Sequence, residues 1–147
     1  MSKVAIIMGS ESDKSIMAKA EEFLIENEIE ATVFVASAHR SPEKVQQIAK
    51  DIEANYDVVI AAAGMAAHLP GVIASLVTKP VIGVPINASS FQGLDALLSI
   101  VQMPTGIPVA TVAVNGAKNA AILATQILAL KDAKIHAKYL EFRNSLK

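Results

Sequence analysis

The stretch EATVFVASAHRSPEKVQQIAKDIEANYDVVIAAA, residues 30–63, holds the smallest complete unit of the fold. Its first seven residues, EATVFVA, are rich in β-branched and aromatic side chains and read as a strand. From Pro42 to about Ala54, Val45, Ile48, Ala49 and Ile52 recur at helical spacing. Ser41, Pro42 and Glu43 mark that helix's start: a hydroxyl at the N-cap, a proline at the first position, an acid in the first turn. DVVIAAA (57–63) is a second strand, short and unbroken. These signals leave one feature unexplained. Ser37, His39 and Arg40 put three polar side chains into a short loop between an apolar strand and a well-marked helix.

Outward from this unit, strand and helix patterns keep alternating. KVAIIM (3–8) is a strand, followed by a helix over 13–27 with Ile16, Ala20, Phe23 and Leu24 on one face. A helix starting near Pro70 or slightly earlier carries Val72, Ile73 and Leu76. PVIGVP (80–85) is strand four, 92–102 is helical, and VATVAV (109–114) is strand five. AAILATQILAL (120–130) is apolar all round, either deeply buried or at an interface. The segment 132–146 is amphipathic, with Ile135, Tyr139, Phe142 and Leu146 in line. Five apolar strands alternating with helices predict a single α/β domain over residues 1–147: a three-layer, five-stranded parallel sheet covered on both faces. The flavodoxin-like strand order 2-1-3-4-5 fits, with an extra C-terminal helix that packs on a neighbouring element or subunit.

The totals bound the function. A chain of 147 residues with 52% apolar and 18% charged side chains buries roughly 68–70% of its unfolded surface and is not disordered. Its net charge of −1 argues against a broad nucleic-acid surface, while leaving room for a small anionic ligand. Without cysteine there is no disulfide framework or thiolate metal site. The N-terminal apolar run is too short for a secretory h-region, and no stretch reaches the ~18 apolar residues of a membrane span, so the expectation is a cytoplasmic protein. Of the 13 basic and 14 acidic side chains, only Asp95 and Lys118 fall between Pro80 and Leu130. So long a neutral segment favours an oligomer over an unusually neutral monomer surface.

In this architecture ligands bind beyond the carboxyl ends of the strands, at the switch point. The loops that meet there are GSESD (9–13), SAHR (37–40) and GMAAHLPG (64–71). GSESD either cradles a phosphate, with Gly9 for the turn and hydroxyls from Ser10 and Ser12, or is a capping box from Ser10 to Asp13. It matches neither the mononucleotide nor the dinucleotide glycine pattern. Arg40 is either a bidentate phosphate ligand or a solvated arginine. His39 and His68 are polar loop residues or, converging on one cleft, a proton-transfer pair. A zinc site is disfavoured: the third histidine, His136, sits on the tail helix as a solvated residue. The small residues of GMAAHLPG let backbone approach a flat ligand, pack helix on sheet, or both. Pro70 disfavours helical angles at Leu69, which holds His68 on the loop. Asp95 reads as a first-turn acid and Asn119 as the cap of a helix starting at Ala120. Ser89, Ser90 and Gln92 follow strand four and form a weaker candidate lining. From the residues alone, the reading is a phosphate-bearing small molecule bound by an α/β domain.

Taken together, MGSESD (8–13), SAHRSPE (37–43), AAGMAAHLPGVIA (62–74), GVPINAS (83–89) and SIVQMPTGIPVATVAVNGAKNAAILA (99–124) resemble the N5-carboxyaminoimidazole ribonucleotide mutase family of purine biosynthesis. The resemblance runs from about Val4 to Leu130. It implies a flavodoxin-like homo-octamer with active sites where subunits meet. The implied reaction converts N5-carboxyaminoimidazole ribonucleotide (N5-CAIR) to 4-carboxy-5-aminoimidazole ribonucleotide (CAIR) without metal or organic cofactor. It further implies that Ser10, Ser12 and Arg40 hold the 5′-phosphate, Asp13 the ribose hydroxyls, and Ser37 the pocket shape. His39 would carry the proton chemistry. His68 and the segment Gly64, Met65, Ala66, Ala67, with Leu69 beyond, would border the aminoimidazole and the carboxylate. A second branch of the family carboxylates aminoimidazole ribonucleotide (AIR) directly; it carries lysine at the Arg40 position and lacks the HLPG histidine, so SAHR and AHLPG favour the mutase branch. Ala62 and Met65 stand where glycine is frequent in the family, and Thr105 where a basic residue is often seen. The rival reading from another class is a non-catalytic phosphate- or nucleotide-binding module on the same fold. A flavin carrier is weaker still, with no Trp and only two Tyr to stack on the ring.

Overall fold

The computed structural model describes residues 1–147. The strands are β1 (Lys3–Met8), β2 (Glu30–Val35), β3 (Val58–Gly64), β4 (Val81–Ile86) and β5 (Ala110–Thr111). The helices are α1 (Lys14–Glu26), α2 (Pro42–Asn55), α3 (Leu69–Leu76), α4 (Leu94–Val101), α5 (Ala117–Ala129) and α6 (Ala133–Ser145). All strand pairs are parallel, in the order β2-β1-β3-β4-β5. This is the expected flavodoxin-like α/β sheet.

Side-chain alternation along the strands divides the core into two layers. Val4, Ile6 and Met8 of β1, with Ile60, Ile82 and Val84, pack under α1, α5 and the start of α6. Ala5 and Ile7, with Val59, Ala61 and Ala63, pack under α2, α3 and α4. The aliphatic runs that gave no alternating pattern are therefore buried on both faces. The chain leaves β1 over one face for β2, then returns over the other face to β3. The loops after β1 and β3 part at that reversal, and the loop after β2 lies beside them.

Several expectations change in detail. The fifth strand shrinks from 109–114 to Ala110–Thr111. The cause lies in β4: Gly83 and Pro85 both turn their carbonyls toward β5, accepting from Val112 and Asn115 at 3.1 and 2.8 Å. A strand residue turns its N–H to the same side as its carbonyl, and Pro85 has none to give. The ladder therefore cannot continue in regular register past Gly83. Gly83 also lets α4 pack close to the sheet: a Cβ there would strike Ile100 and lie 2.9 Å from Val109.

The helix after β4 begins at Leu94 rather than 92, because Gln92 and Gly93 are left-handed, with φ of 57° and 89°. Helix α5 starts at Ala117 with Gly116 as N-cap, so Asn119 sits inside the helix and caps nothing. Ser41 occupies the N-cap of α2, and Pro42 its first turn, but the Ser41 hydroxyl makes no capping bond. Its N–H instead donates to the Ser37 carbonyl at 2.9 Å.

The final helix finds its home within the same chain. Ile135 joins the core beneath α5, Phe142 meets Phe23 edge-on at 4.9 Å, and the Gln126 amide donates to the Tyr139 hydroxyl at 2.6 Å. Leu146, expected on that stripe, is exposed. His136 is solvated, as expected. No helix is long and apolar enough to cross a membrane.

Candidate active site

Beyond the carboxyl ends of β1, β2 and β3 lies a cleft of about 610 Å³. Gly9, Ser10, Ser12 and Asp13 reach it from the first loop; Ser37, Ala38, His39 and Arg40 from the second; and Ala63 to Leu69 from the third. Every candidate site residue of those three loops lines this cleft, whereas Ser89, Ser90 and Gln92, the weaker candidates after β4, do not. Sequence reasoning read Ala63 only as strand and did not assign Ala88, from the loop after β4, to the site. The Ala88 methyl carries no chemical signal. The only hint was the neighbouring Gly64, where a Cβ would come within 2.6 Å of the Ala88 Cβ.

The first loop is held by register. Met8 pairs with Ala62, and the Gly9 N–H continues the ladder to the Ala62 carbonyl at 3.1 Å. A 3₁₀ turn over Glu11–Asp13 then leads into α1. The expected capping box forms only in part. The Ser10 hydroxyl accepts from the Ser12 N–H at 3.3 Å, while the Asp13 N–H goes to the Ser10 carbonyl at 3.1 Å. The two serine hydroxyls lie 2.9 Å apart, and no side chain caps the N-terminus of α1. Two hydroxyls beside a positive helix end are suited to an anion.

Asp13 is only 5% exposed. Burial pushes its carboxyl above its usual value of 3.8, with a backbone hydrogen bond from Ser10 pulling the other way. A carboxyl raised on folding leaves stability intact below that usual value and lowers it as pH rises through the folded pKa. Asp13→Asn is therefore expected to unfold at higher denaturant than the parent at pH 7. The gain should vanish once the pH falls below 3.8, as urea titrations at the two pH values will read out. A carboxylate kept at a cost to stability is typical of a functional position.

In the second loop, the Ser37 hydroxyl accepts from the Arg40 N–H at 3.2 Å, which closes the turn. The Arg40 guanidinium donates to the Gly9 carbonyl at 3.2 Å and so ties this loop to the first. The remaining donors of the guanidinium fork make no bond within the chain.

His39 Nε2 and His68 Nδ1 lie 2.7 Å apart, with the rings nearly perpendicular at 78°. At that distance one nitrogen carries the proton and donates it to the other. His68 is the N-cap of α3, and Leu69 is already helical although Pro70 follows it. The expectation that Pro70 would hold Leu69 out of the helix is thus corrected. In a first turn the proline's missing N–H costs nothing, because that donor has no intrahelical partner. Ala67 and Leu69 are buried, whereas Met65 and Ala66 are exposed at the rim. Met65 has φ 55°, a left-handed conformation that favours glycine. No group of three His, Cys, Asp or Glu side chains is arranged to hold a metal.

Residues 3–147 match the AIR carboxylase family. The chain belongs to that family. It is 60% identical over 144 residues to the N5-carboxyaminoimidazole ribonucleotide mutase of Methanocaldococcus jannaschii, covering 98% of this chain and 90% of that protein. It is 52% identical over 148 residues to the mutase of the same name from Pyrococcus abyssi, covering 100% of this chain and 85% of the relative. Its fold superposes on the crystal structure of Treponema denticola PurE with a TM-score of 0.91 at 33% identity, covering 99% of this chain and 91% of that one. The member described here is an enzyme, and its family places it in carboxyl transfer within purine biosynthesis.

Proposed function

We propose that this enzyme converts N5-CAIR to CAIR by moving the carboxyl group within one closed site. The observation that carries the reading is the His39–His68 hydrogen bond, set in a cleft that also holds Arg40 and the Ser10–Ser12 hydroxyls. The names of the relatives support it.

Arg40, Ser10 and Ser12 bind the 5′-phosphate, and the Asp13 carboxylate accepts from the ribose hydroxyls. Ser37 keeps the turn that presents His39 and Arg40 to the ligand. The backbone of Gly64 to Ala67 borders the flat aminoimidazole, with Leu69 behind it. His39 gives a proton to the carbamate nitrogen as the N–C bond breaks and carbon dioxide leaves. The ring carbon then attacks that carbon dioxide, and His39 takes back the proton the ring carbon sheds. The proton count balances, and no activating nucleotide is required. One imidazole serves both steps because it gives and accepts protons near neutral pH. His68 borders the carboxylate and, through its bond to His39, sets which imidazole nitrogen faces the substrate. Between the steps the carbon dioxide must not escape, so a dry, closed pocket is required.

Closure is supplied by other copies of the chain. Phe91, in the loop before α4, and Leu94, Leu98 and Val101 of α4 form an exposed apolar stripe within the neutral segment. A homo-octamer that buries this stripe fits the reading, as does a cytoplasmic location. Light scattering should then give eight times the 15.5 kDa chain mass.

The activity is tested with two substrates. N5-CAIR is supplied in buffer stripped of bicarbonate, and AIR is supplied with bicarbonate; CAIR absorbance is followed in each. Fast product from N5-CAIR alone is the expected result. Product only from AIR with bicarbonate would make the chain a direct carboxylase, the activity the family's name describes, and would overturn the internal transfer.

A further inference from the structure

Asp95 is the only acid between Pro80 and Leu130, and one of its carboxylate oxygens, Oδ1, is buried with no hydrogen-bond donor. An enclosed carboxylate oxygen with no donor from the chain costs the fold, and that cost calls for a compensating contact. The other oxygen identifies one. Oδ2 accepts from the Ser89 hydroxyl at 2.8 Å, and the same hydroxyl oxygen accepts from the Phe91 N–H at 3.2 Å. Asp95 thus grips the β4–α4 loop, residues 87–93, through one serine.

That loop is pinned at both ends. At its start the Asn87 N–H donates to the Asn115 side-chain carbonyl at 3.0 Å. At its end the backbone passes through two left-handed residues, Gln92 and Gly93, an arrangement a non-glycine residue adopts only under tertiary constraint. Between the pins stands Ala88, which lines the cleft opposite Gly64. Gly64 has no room for a Cβ because Ala88 is held so close.

We propose that Asp95 is a positioning residue which, acting through Ser89, holds Ala88 against Gly64 and keeps that wall of the cleft shut while carbon dioxide is free. The proposal rests on the mutase reading above. When the wall loosens, the N–C bond still breaks and His39 still protonates the leaving nitrogen. Carbon dioxide then diffuses out before the ring carbon captures it, and the enzyme releases AIR in place of CAIR. The leak consumes one proton per turnover, which His39 regains from water.

The test compares Ser89→Ala, Asp95→Asn and Ser89→Thr in the full chain. Two quantities are measured: the ratio of AIR to CAIR formed from N5-CAIR without bicarbonate, and amide hydrogen exchange at residues 87–92. Ser89→Ala loses the charge-assisted bond to Asp95 together with the bond from the Phe91 N–H, and should raise the AIR fraction and the loop exchange about 10- to 100-fold; Asp95→Asn, which keeps a neutral acceptor, should raise both by less. Ser89→Thr keeps the hydroxyl and should restore both to within about twofold of the parent. If Asp95→Asn does not fold, Ser89→Ala decides alone. An unchanged AIR fraction in an active Ser89→Ala enzyme overturns the proposal and leaves the mutase reading standing. If the parent itself does not turn over N5-CAIR, the mutase reading falls and the trapping role falls with it. Exchange at 87–92 then reports the Asp95 grip by itself, and unchanged exchange overturns that too.

Discussion

His39→Asn is expected to bind CAIR as the parent does and to turn N5-CAIR over about 10²–10⁴-fold more slowly, the usual contribution of a positioned acid–base group. Asparagine keeps a planar, polar side chain of similar reach, so the cleft and its phosphate contacts should survive. What it lacks is a nitrogen that exchanges a proton near neutral pH. Affinity measured by calorimetry and kcat measured by CAIR absorbance separate the two properties. Because His39 is bonded to His68 at 2.7 Å, a fall of less than about tenfold would move the proton chemistry to His68. An unchanged turnover would remove His39 from the proton chemistry altogether. A binding module on this fold would show no turnover in either protein, so the parent serves as the control for that reading.

The second large effect is expected at Arg40. Arg40→Met should raise KM for N5-CAIR about 10- to 100-fold and change kcat far less. The guanidinium is already tethered to the Gly9 carbonyl at 3.2 Å, so its remaining N–H donors meet the ligand with little ordering left to do. Hydrogen bonds to a charged group contribute about 1.5–3 kcal/mol each, which sets that range. A contact made equally in ground and transition states shows in KM rather than kcat. Arg40→Lys, which keeps the charge but not the fork, should fall between the two. A KM within about twofold of the parent in Arg40→Met would place the phosphate elsewhere in the cleft.

Different parts of this protein became legible at different levels. The β–α–β unit over residues 30–63 could be read because strand and helix leave distinct periods in the chain, and because Pro42 and Glu43 mark the helix start chemically. The cleft could be located because a parallel sheet of this order opens beyond the carboxyl ends of its strands, and three polar loops fall there. The details that were misread depend on backbone geometry that the local residue pattern does not show. Nothing within VATVAV announces that the strand shrinks to two residues; the missing N–H belongs to Pro85 on the adjacent strand. Leu69 is helical before a proline because the helix starts there, not because of its local preference. Asp95 is the first-turn acid the sequence predicted, and what the pattern did not show is its bond to Ser89, six residues earlier in the loop that leads into α4.

By itself, then, the order of residues determined the layers, the strand order, the family and the set of side chains gathered at the cleft, since each follows from periodicity, from loop position or from motifs read in sequence. Only the tertiary structure decided which of those side chains touch. The His39–His68 pair joins residues 29 apart, and the Arg40–Gly9 tie joins residues 31 apart. The closeness of Ala88 to Gly64 comes from the packing of adjacent strands and their loops. Contacts of that kind are set by strand register and helix packing across the whole domain, and no local pattern encodes them.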